Sequence, residues 1–160
     1  MMPMHLPLPE RDVPACTDRS VLAPKFRAGL DALLADVPDA KIAETLRTAE
    51  RQSFLYGFGR DYDDGRGIVT SAPTNLTSWH GYGLAADVIH AEHEWAAPLA
   101  WWKHLGDVAA THGLRWAGTW RHPDLPHVYW GRCRDIPSAH AVQLWQQGGL
   151  EAVWREVRAL

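Results

Sequence analysis

Apolar side chains recur at helical spacing in two parts of this 160-residue chain, and a third helical segment is predicted near its C-terminus. The first predicted helix begins at Pro24 and ends near Val37-Pro38. Its apolar stripe comprises Phe26, Leu30, Leu33 and Leu34. The second begins at Pro98 and ends at Gly113, with a stripe of Leu99, Trp102, Leu105, Val108 and Ala109. The third runs from Pro137-Ser138 to Leu160 and breaks at Gly148-Gly149. Such stripes are typical of helices that pack one face on a core.

Short apolar segments between these helices are strand candidates, at 41–46, 68–70, 85–89, 114–116 and 126–130. Thr48 can cap a further helix that runs to about Phe58, and Gly59 is placed to end it. Residues 60–77 are rich in Gly, Asp, Ser, Thr and Pro, which predicts a long loop around the brief strand Ile68-Val69-Thr70. A loop of this length in a compact domain is commonly functional.

Length and charge exclude several classes of protein. The length fits one domain over residues 1–160, with an N-terminal arm at 1–20 and a C-terminal helical segment at 137–160. A formal net charge of −3 and the lack of a Lys/Arg run argue against nucleic-acid binding. No window approaches about 18 consecutive apolar residues, so no membrane span is expected. Residues 1–14 have no basic leader and are broken by prolines, unlike a secretory signal.

The two cysteines leave two alternatives open. Cys16 and Cys133 are far apart in the sequence and are compatible with two reduced, partly buried thiols. If the protein works outside the cytoplasm, a disulfide could instead tie the arm to the segment after His127.

Two short stretches carry the candidate chemistry. In the first, Ser78 to Asp87, His80 and Asp87 are seven residues apart. That spacing fits neither the four-residue step of a helical zinc motif nor alternate positions on a strand. Gly81 and Gly83 permit a tight turn, so His80 can lie on a loop and Asp87 on the strand that follows. In the second stretch, Asp124 to His127, the histidine would enter from a neighbouring strand.

These residue types favour a catalytic zinc site. Zinc in such a site takes three ligands from His nitrogen and carboxylate oxygen and keeps one position for water. We interpret His80, Asp87 and His127 as the ligands, and Asp124 as the base that takes the proton of that water and later gives it to a leaving amine. Taken singly, each residue has a simpler interpretation, as a core or surface histidine or as a turn-forming aspartate.

Three motifs occur in order along the chain. The pattern S-x-H-x-x-G-x-A-x-D lies at Ser78 to Asp87, and a Trp-containing turn followed by D-x-P-H lies at Trp116 to His127. The upstream motif comprises Arg47-Thr48, Gln52, Leu55-Tyr56 and Gly59-Arg60. From about Pro24 to Trp130 the chain thus resembles the zinc D-alanyl-D-alanine carboxypeptidases and L-alanyl-D-glutamate endopeptidases of peptidoglycan, a VanY-like family that includes many phage endolysins.

The resemblance implies a fold and roles for the site residues. The fold would be α+β, with a small antiparallel sheet flanked by helices as in hedgehog/D-Ala-D-Ala metallopeptidases. Zn²⁺ would be the cofactor, on the three ligands already named, with Asp124 as the catalytic acid/base. Arg47 would stabilise the developing oxyanion, worth about 3 kcal/mol by analogy with a single oxyanion donor; otherwise it forms a surface salt bridge.

Four further residues are assigned to substrate binding: Ser78, Gln52, Tyr82 and Trp120. Ser78 could instead support a ligand or cap the turn, and Gln52 could lie on a solvated helix face. His122 is an alternative ligand to His127, and His90 and His93 could point into the cleft.

The chain also departs from the family pattern. Ala117 stands where a glycine is common, Val128-Tyr129 replaces the frequent Phe-Glu or Phe-Gln, and the 61–77 loop carries Asp61, Asp63 and Asp64. These positions should border the cleft, so they bear on substrate choice.

The predicted function is hydrolysis of an amide bond in peptidoglycan stem peptides, with L-alanyl-D-glutamate cleavage favoured. The alternatives are a D-alanyl-D-alanine carboxypeptidase or dipeptidase on the same site and a non-catalytic zinc-containing binding module. Without a signal or wall-binding repeat, we expect a monomeric phage or prophage lysis enzyme that is made in the cytoplasm and acts on the cell wall.

Overall fold

Four α-helices and four β-strands make up the computed structural model, which describes residues 5–160. The helices are α1 Pro24–Asp36, α2 Ala49–Gly57, α3 Leu99–Thr111 and α4 Ala139–Glu156. The strands are β1 Ala40–Glu44, β2 Ala85–His90, β3 Leu114–Trp116 and β4 His127–Trp130. Four short 3₁₀ turns lie at Arg19–Val21, Asn75–Thr77, Trp79–Tyr82 and Ala117–Thr119.

The strands form one antiparallel sheet in the order β1-β2-β4-β3. Glu44 of β1 is the partner of Asp87 in β2, after an irregularity in the register between Ile42 and Glu44. Asp87 is in turn the partner of His127 in β4. Glu44, Asp87 and His127 therefore occupy one row across three strands, where neighbouring side chains come within contact distance.

The hydrophobic core lies between the sheet and the helices that pack on it. Every residue of β2 is buried, so this central strand is covered on both faces. Helix α1 contributes Phe26, Leu30 and Leu33, and α3 contributes Trp102, Leu105 and Ala109. A smaller cluster on α2 joins Phe54, Leu55 and Phe58 to Val13 of the arm and to Tyr62. The predicted α+β fold, a small antiparallel sheet flanked by helices, is confirmed.

The helix ends follow the sequence signals. Pro24 occupies the first turn of α1, where its missing N–H has no intrahelical partner to lose. The Thr48 hydroxyl accepts a hydrogen bond from the Arg51 amide at 3.1 Å and caps α2. Helix α4 loses helical backbone angles at Gly148 and Gly149, as predicted.

The predicted strand at 68–70 is wrong. Within residues 5–160, Ile68 and Val69 have no strand partner, and they are 64% and 43% exposed. Side chains bond this segment instead: Arg60 donates to the Thr70 carbonyl at 3.1 Å, and Gln52 donates to the Ala72 carbonyl at 2.9 Å. With those acceptors taken by side chains, the segment stays a loop.

The described part of the arm packs along the domain. Pro7 accepts a hydrogen bond from the Asp63 amide, and the Val13 carbonyl accepts one from Arg51. Cys16 and Cys133 are free thiols. Among residues 5–160, no helix is long and apolar enough to cross a bilayer.

Candidate metal centre

Three elements bring His80, Asp87 and His127 together. Asp87 and His127 are cross-strand partners in β2 and β4, and His80 comes from the 3₁₀ turn that precedes β2. His80 Nε2 lies 3.2 Å from Asp87 Oδ1 and 3.2 Å from His127 Nδ1. His127 Nδ1 lies 3.7 Å from Asp87 Oδ1. All three side chains are buried.

The 3₁₀ turn Trp79–Tyr82, inside the Ser78 to Asp87 motif, determines the position of His80. The Ser78 hydroxyl accepts a hydrogen bond from the His80 amide at 3.3 Å and so caps the turn. Gly81 packs directly on the backbone carbonyl of Asn75, where a Cβ would overlap it. Gly83 has a φ of 69°, a left-handed conformation that glycine adopts without strain and that leads the chain into β2.

The hydrogen bonds of His80 identify which ring nitrogen is free. Its Nδ1 lies 2.9 Å from the carbonyl oxygen of Thr45. A carbonyl only accepts, so Nδ1 carries the hydrogen and Nε2 of the neutral ring presents a lone pair. That lone pair faces the carboxylate oxygen of Asp87. Two acceptors at this distance repel unless a proton or a metal ion lies between them, and the His127 nitrogen adds a third possible metal donor.

The donor set fits zinc. Ligand bonds of about 2.0–2.1 Å in tetrahedral geometry put neighbouring donors about 3.3–3.4 Å apart. The observed separations of 3.2, 3.2 and 3.7 Å are close to that spacing. Two imidazoles and one carboxylate also match the ligand types of catalytic zinc sites.

The electrostatics keep each candidate ligand in its metal-binding form. Burial, reinforced by the Arg47 charge, lowers the pKa of His80, so the imidazole is neutral at pH 7. Burial alone would raise the pKa of Asp87. The charge that His80 carries when it is protonated, hydrogen bonds from the two histidine rings and the Arg47 charge outweigh burial and hold the pKa of Asp87 well below its usual value. Asp87 is therefore ionised.

Arg47 lies directly behind Asp87. Its Nη2 donates to Asp87 Oδ2 at 3.3 Å, on the side away from the oxygen that faces the histidines. Its Nη1 donates to Gln52 Oε1 at 3.3 Å, and its Nε donates to Glu44 Oε1 at 2.9 Å. The Arg47 amide also donates to the His80 carbonyl at 3.0 Å. Arg47 is thus a half-buried residue that orients one candidate ligand, and its two ion pairs, with Glu44 and Asp87, lie away from the surface.

The Asp124 carboxyl lies near this cluster. The residue is exposed, yet its carboxyl is close enough to feel the charges of Asp87, His127, His80 and Arg47. Surrounding protein atoms, and then the negative charge of Asp87, raise the pKa of Asp124. The His127 amide donates to the Asp124 carbonyl at 3.2 Å, which ties the D-x-P-H turn to the start of β4.

Residues 71–130, which include all three candidate ligands and Asp124, match the family model described as D-alanyl-D-alanine carboxypeptidase. Over this segment the chain is similar to that peptidase family. The match confirms the resemblance read from the motifs and the predicted enzyme class, a peptidase. The comparison with curated protein sequences gives no match.

Two solved structures share the fold of this peptidase. The L-Ala D-Glu endopeptidase ChiX of Serratia marcescens is 19% identical, with a TM-score of 0.55 over 70% of this chain and 82% of its own. The LD-carboxypeptidase LdcB is 14% identical, with a TM-score of 0.52 over 97% of this chain and 76% of its own. At these identities the similarity concerns the fold.

Two of the predicted substrate-binding residues of this peptidase are inaccessible. Tyr82 is completely buried, with its hydroxyl donating to the Leu76 carbonyl at 2.9 Å. Gln52 is also completely buried and bonds Arg47 and the 70–72 segment. Those two assignments, and the solvated face considered for Gln52, are corrected: both side chains support the site from within.

Ser78 and Trp120 have different positions. Ser78 is half-buried and caps the His80 turn. The half-buried Trp120 ring lies 5.2 Å from the His127 ring, and its Nε1 donates to the Tyr129 hydroxyl at 3.2 Å. That hydroxyl donates to Asp135 at 2.7 Å. Trp120 therefore forms an aromatic wall beside a candidate ligand, and substrate contact by Trp120 remains a prediction.

The other histidines lie outside the cluster formed in the described chain. His90 Nδ1 accepts hydrogen bonds from the Glu92 and His93 amides, and its Nε2 lies 3.3 Å from Asp39, so its role is structural. His93 and His122 are exposed, and the metal-compatible group contains neither.

A separate cavity of about 300 Å³ lies between α4 and the 132–138 segment, with Trp79 in its wall. None of the three candidate ligands lines it. The groups with perturbed pKa values, His80, Asp87 and Asp124, converge instead at the His80–Asp87–His127 cluster, which makes that cluster the candidate site.

Sequence reasoning missed Glu44 and Thr45. Glu44 is 4% exposed and bonds both Arg47 and Arg51, and the Thr45 carbonyl orients His80. The only available signal was an acidic residue at the end of a strand, three and seven residues before two arginines. A backbone carbonyl has no sequence signature.

Proposed function

We propose that this peptidase is a zinc-dependent peptidoglycan hydrolase that cuts an amide bond in stem peptides. The observation that carries the proposal is the convergence of His80 Nε2, His127 Nδ1 and Asp87 Oδ1 on one point, with the raised-pKa carboxyl of Asp124 nearby. The family that residues 71–130 match supports peptidase chemistry there.

His80, Asp87 and His127 would hold the zinc. When bound, zinc polarises a carbonyl and lowers the pKa of a water to roughly 7. Asp124 accepts the proton of the attacking water and then donates it to the leaving amine. Its raised pKa suits both steps, because a carboxyl that titrates closer to neutral pH both takes and returns a proton more readily.

Arg47 keeps donors for the substrate. A guanidinium has five N–H groups, and the structure uses three of them, toward Glu44, Gln52 and Asp87. The remaining N–H groups, on Nη1 and Nη2, are bonded to no described residue and are available to the oxygen that gains charge as the amide carbonyl is attacked. A fixed donor of this kind contributes about 3 kcal/mol to transition-state stabilisation.

The L-alanyl-D-glutamate bond is the proposed scissile bond. Asp124 is exposed beside a buried cluster, which suits a bond within a longer chain that enters from an open side. The fold shared with an L-Ala D-Glu endopeptidase is compatible with this choice. The second candidate, removal of a terminal D-alanine, is favoured by the description of the matching family.

Substitution of the base tests the hydrolase proposal. Asp124→Ala should retain one zinc per chain and lose about 10²- to 10⁴-fold of the wall-hydrolysis rate, the usual contribution of a general acid/base. Asp107→Ala, an exposed aspartate on α3, is the matched control. His80→Ala should lose the metal. Full activity in metal-analysed Asp124→Ala refutes the assignment.

The products decide between the candidate bonds. Purified peptidoglycan is digested, and the new termini are identified by mass spectrometry. A free L-alanine carboxyl and a new D-glutamate amine identify the endopeptidase, whereas loss of one D-alanine identifies the carboxypeptidase. Zinc-dependent binding to the wall without any new terminus would identify a binding module and refute the enzyme. Phage origin and the monomeric state remain predictions.

A further inference from the structure

Glu44 is a buried carboxylate placed between two arginines. It is 4% exposed and stands opposite Asp87 in the β1–β2 register. Its Oε1 accepts from Arg47 Nε at 2.9 Å, and its Oε2 accepts from Arg51 Nε at 2.8 Å. Each oxygen thus holds one guanidinium in a charge-assisted hydrogen bond, which is stronger and more directional than a neutral one.

Each arginine also makes a second hydrogen bond, through its Nη1. Arg51 Nη1 donates to the Val13 carbonyl of the arm at 2.6 Å. Arg47 Nη1 donates to Gln52, whose amide is bonded in turn to the Ala72 carbonyl. These contacts leave Arg47 Nη2 directed at Asp87 Oδ2. The orientation of Arg47 therefore determines which oxygen of Asp87 faces the histidines.

We propose that Glu44 is a positioning residue for the metal centre, acting through Arg47 on Asp87. The inference depends on the proposed zinc site and adds a determinant of its affinity. Glu44 binds Arg47 through Nε, and the rigid plane of the guanidinium then presents Nη2 to the outer oxygen of Asp87. Oδ1 of the same carboxylate is left directed at His80 Nε2 and His127 Nδ1.

Glu44 also balances charge beside the centre. The group comprises two half-buried cations, Arg47 and Arg51, and two buried carboxylates, Glu44 and Asp87. Without Glu44, Arg47 can turn more of its donors toward Asp87 and draw the carboxylate away from the histidines. The arginine charge also stands uncompensated next to a site for a divalent cation. Both effects weaken metal binding.

The test measures zinc affinity in the full chain. Zn²⁺ Kd values are obtained by competition with a chromophoric chelator. Glu44→Gln, which keeps the side-chain shape and removes the charge, should raise the Kd by about 10- to 100-fold, as for other residues that orient metal ligands. The control is Glu50→Gln on α2, whose carboxylate forms an exposed pair with Arg11. It should leave the Kd unchanged.

Two double variants separate positioning from charge and from folding. In Arg47→Met, adding Glu44→Gln should not raise the Kd further, because the residue through which Glu44 acts is gone. Glu44→Gln/Arg51→Met removes one charge of each sign. The double variant therefore leaves no Arg51 cation without its Glu44 partner. Its Kd should remain raised.

An unchanged Kd in Glu44→Gln overturns the proposal. So does a further loss of the same size in the Arg47→Met chain, or a wild-type Kd in Glu44→Gln/Arg51→Met. Failure of the zinc site itself has a different signature: the wild-type chain then binds no stoichiometric zinc, or His80→Ala binds it as tightly as wild type.

Discussion

Gln52 offers a direct test of how a buried amide supports the site. The side chain is completely buried in α2 and uses both ends of its amide. Its oxygen accepts from Arg47 Nη1 at 3.3 Å, and its nitrogen donates to Thr70 Oγ1 at 3.3 Å and to the Ala72 carbonyl at 2.9 Å. Gln52→Met keeps the unbranched shape and helix propensity while removing all three hydrogen bonds.

The expected loss follows from those three contacts. The hydrogen bond to the Arg47 cation is worth about 1.5–3 kcal/mol, and each neutral one about 1 kcal/mol. Thr70 and Ala72 are only half-buried, so water replaces part of the neutral contribution. We therefore expect Gln52→Met to lower the free energy of unfolding by about 3 kcal/mol. For a chain of this size that corresponds to a fall in Tm of about 6–12 °C.

Urea unfolding of the metal-free protein, followed by tryptophan fluorescence, measures the effect without any contribution from zinc. The matched control is Gln146→Met, since Gln146 is an exposed glutamine of α4 and should change stability by less than about 0.5 kcal/mol. Limited proteolysis should also cut the 60–77 loop faster in Gln52→Met. Equal unfolding free energies for the two variants would refute the reasoning.

Three further outcomes are expected. If the free zinc concentration is 100 times the Kd, removal of the zinc with a chelator should lower the Tm by about 5–11 °C. His80→Ala should show no zinc-dependent shift in Tm. Tyr129→Phe leaves Trp120 Nε1 without its acceptor. It should lower the free energy of unfolding in urea by about 1–2 kcal/mol and alter the tryptophan emission. Unchanged stability and emission would contradict the role of this hydroxyl. The pKa of Asp87 is lowered from 3.8 in the fold, so its stabilisation is complete above about pH 4 and is lost as pH falls through the folded-state pKa. Metal-free unfolding at pH 7 and pH 3 should therefore differ less in Asp87→Asn than in wild type.

The sequence by itself determined the local elements of this protein. Pro24, Thr48 and the Gly148-Gly149 pair mark helix ends or breaks because they act on hydrogen bonds and backbone angles within a few residues. The spacing of His80 and Asp87 around two glycines likewise predicted a turn followed by a strand. These signals are readable because cause and effect lie within one short segment.

The tertiary structure decided what surrounds those elements. The register that aligns Glu44, Asp87 and His127 depends on pairing between distant strands, with a local irregularity in β1. Contacts with distant residues likewise bury Gln52 and Tyr82. They also keep residues 68–70 in a loop where the sequence predicted a strand. Such contacts form only when the whole chain packs, and their hydrogen bonds then outweigh local preference.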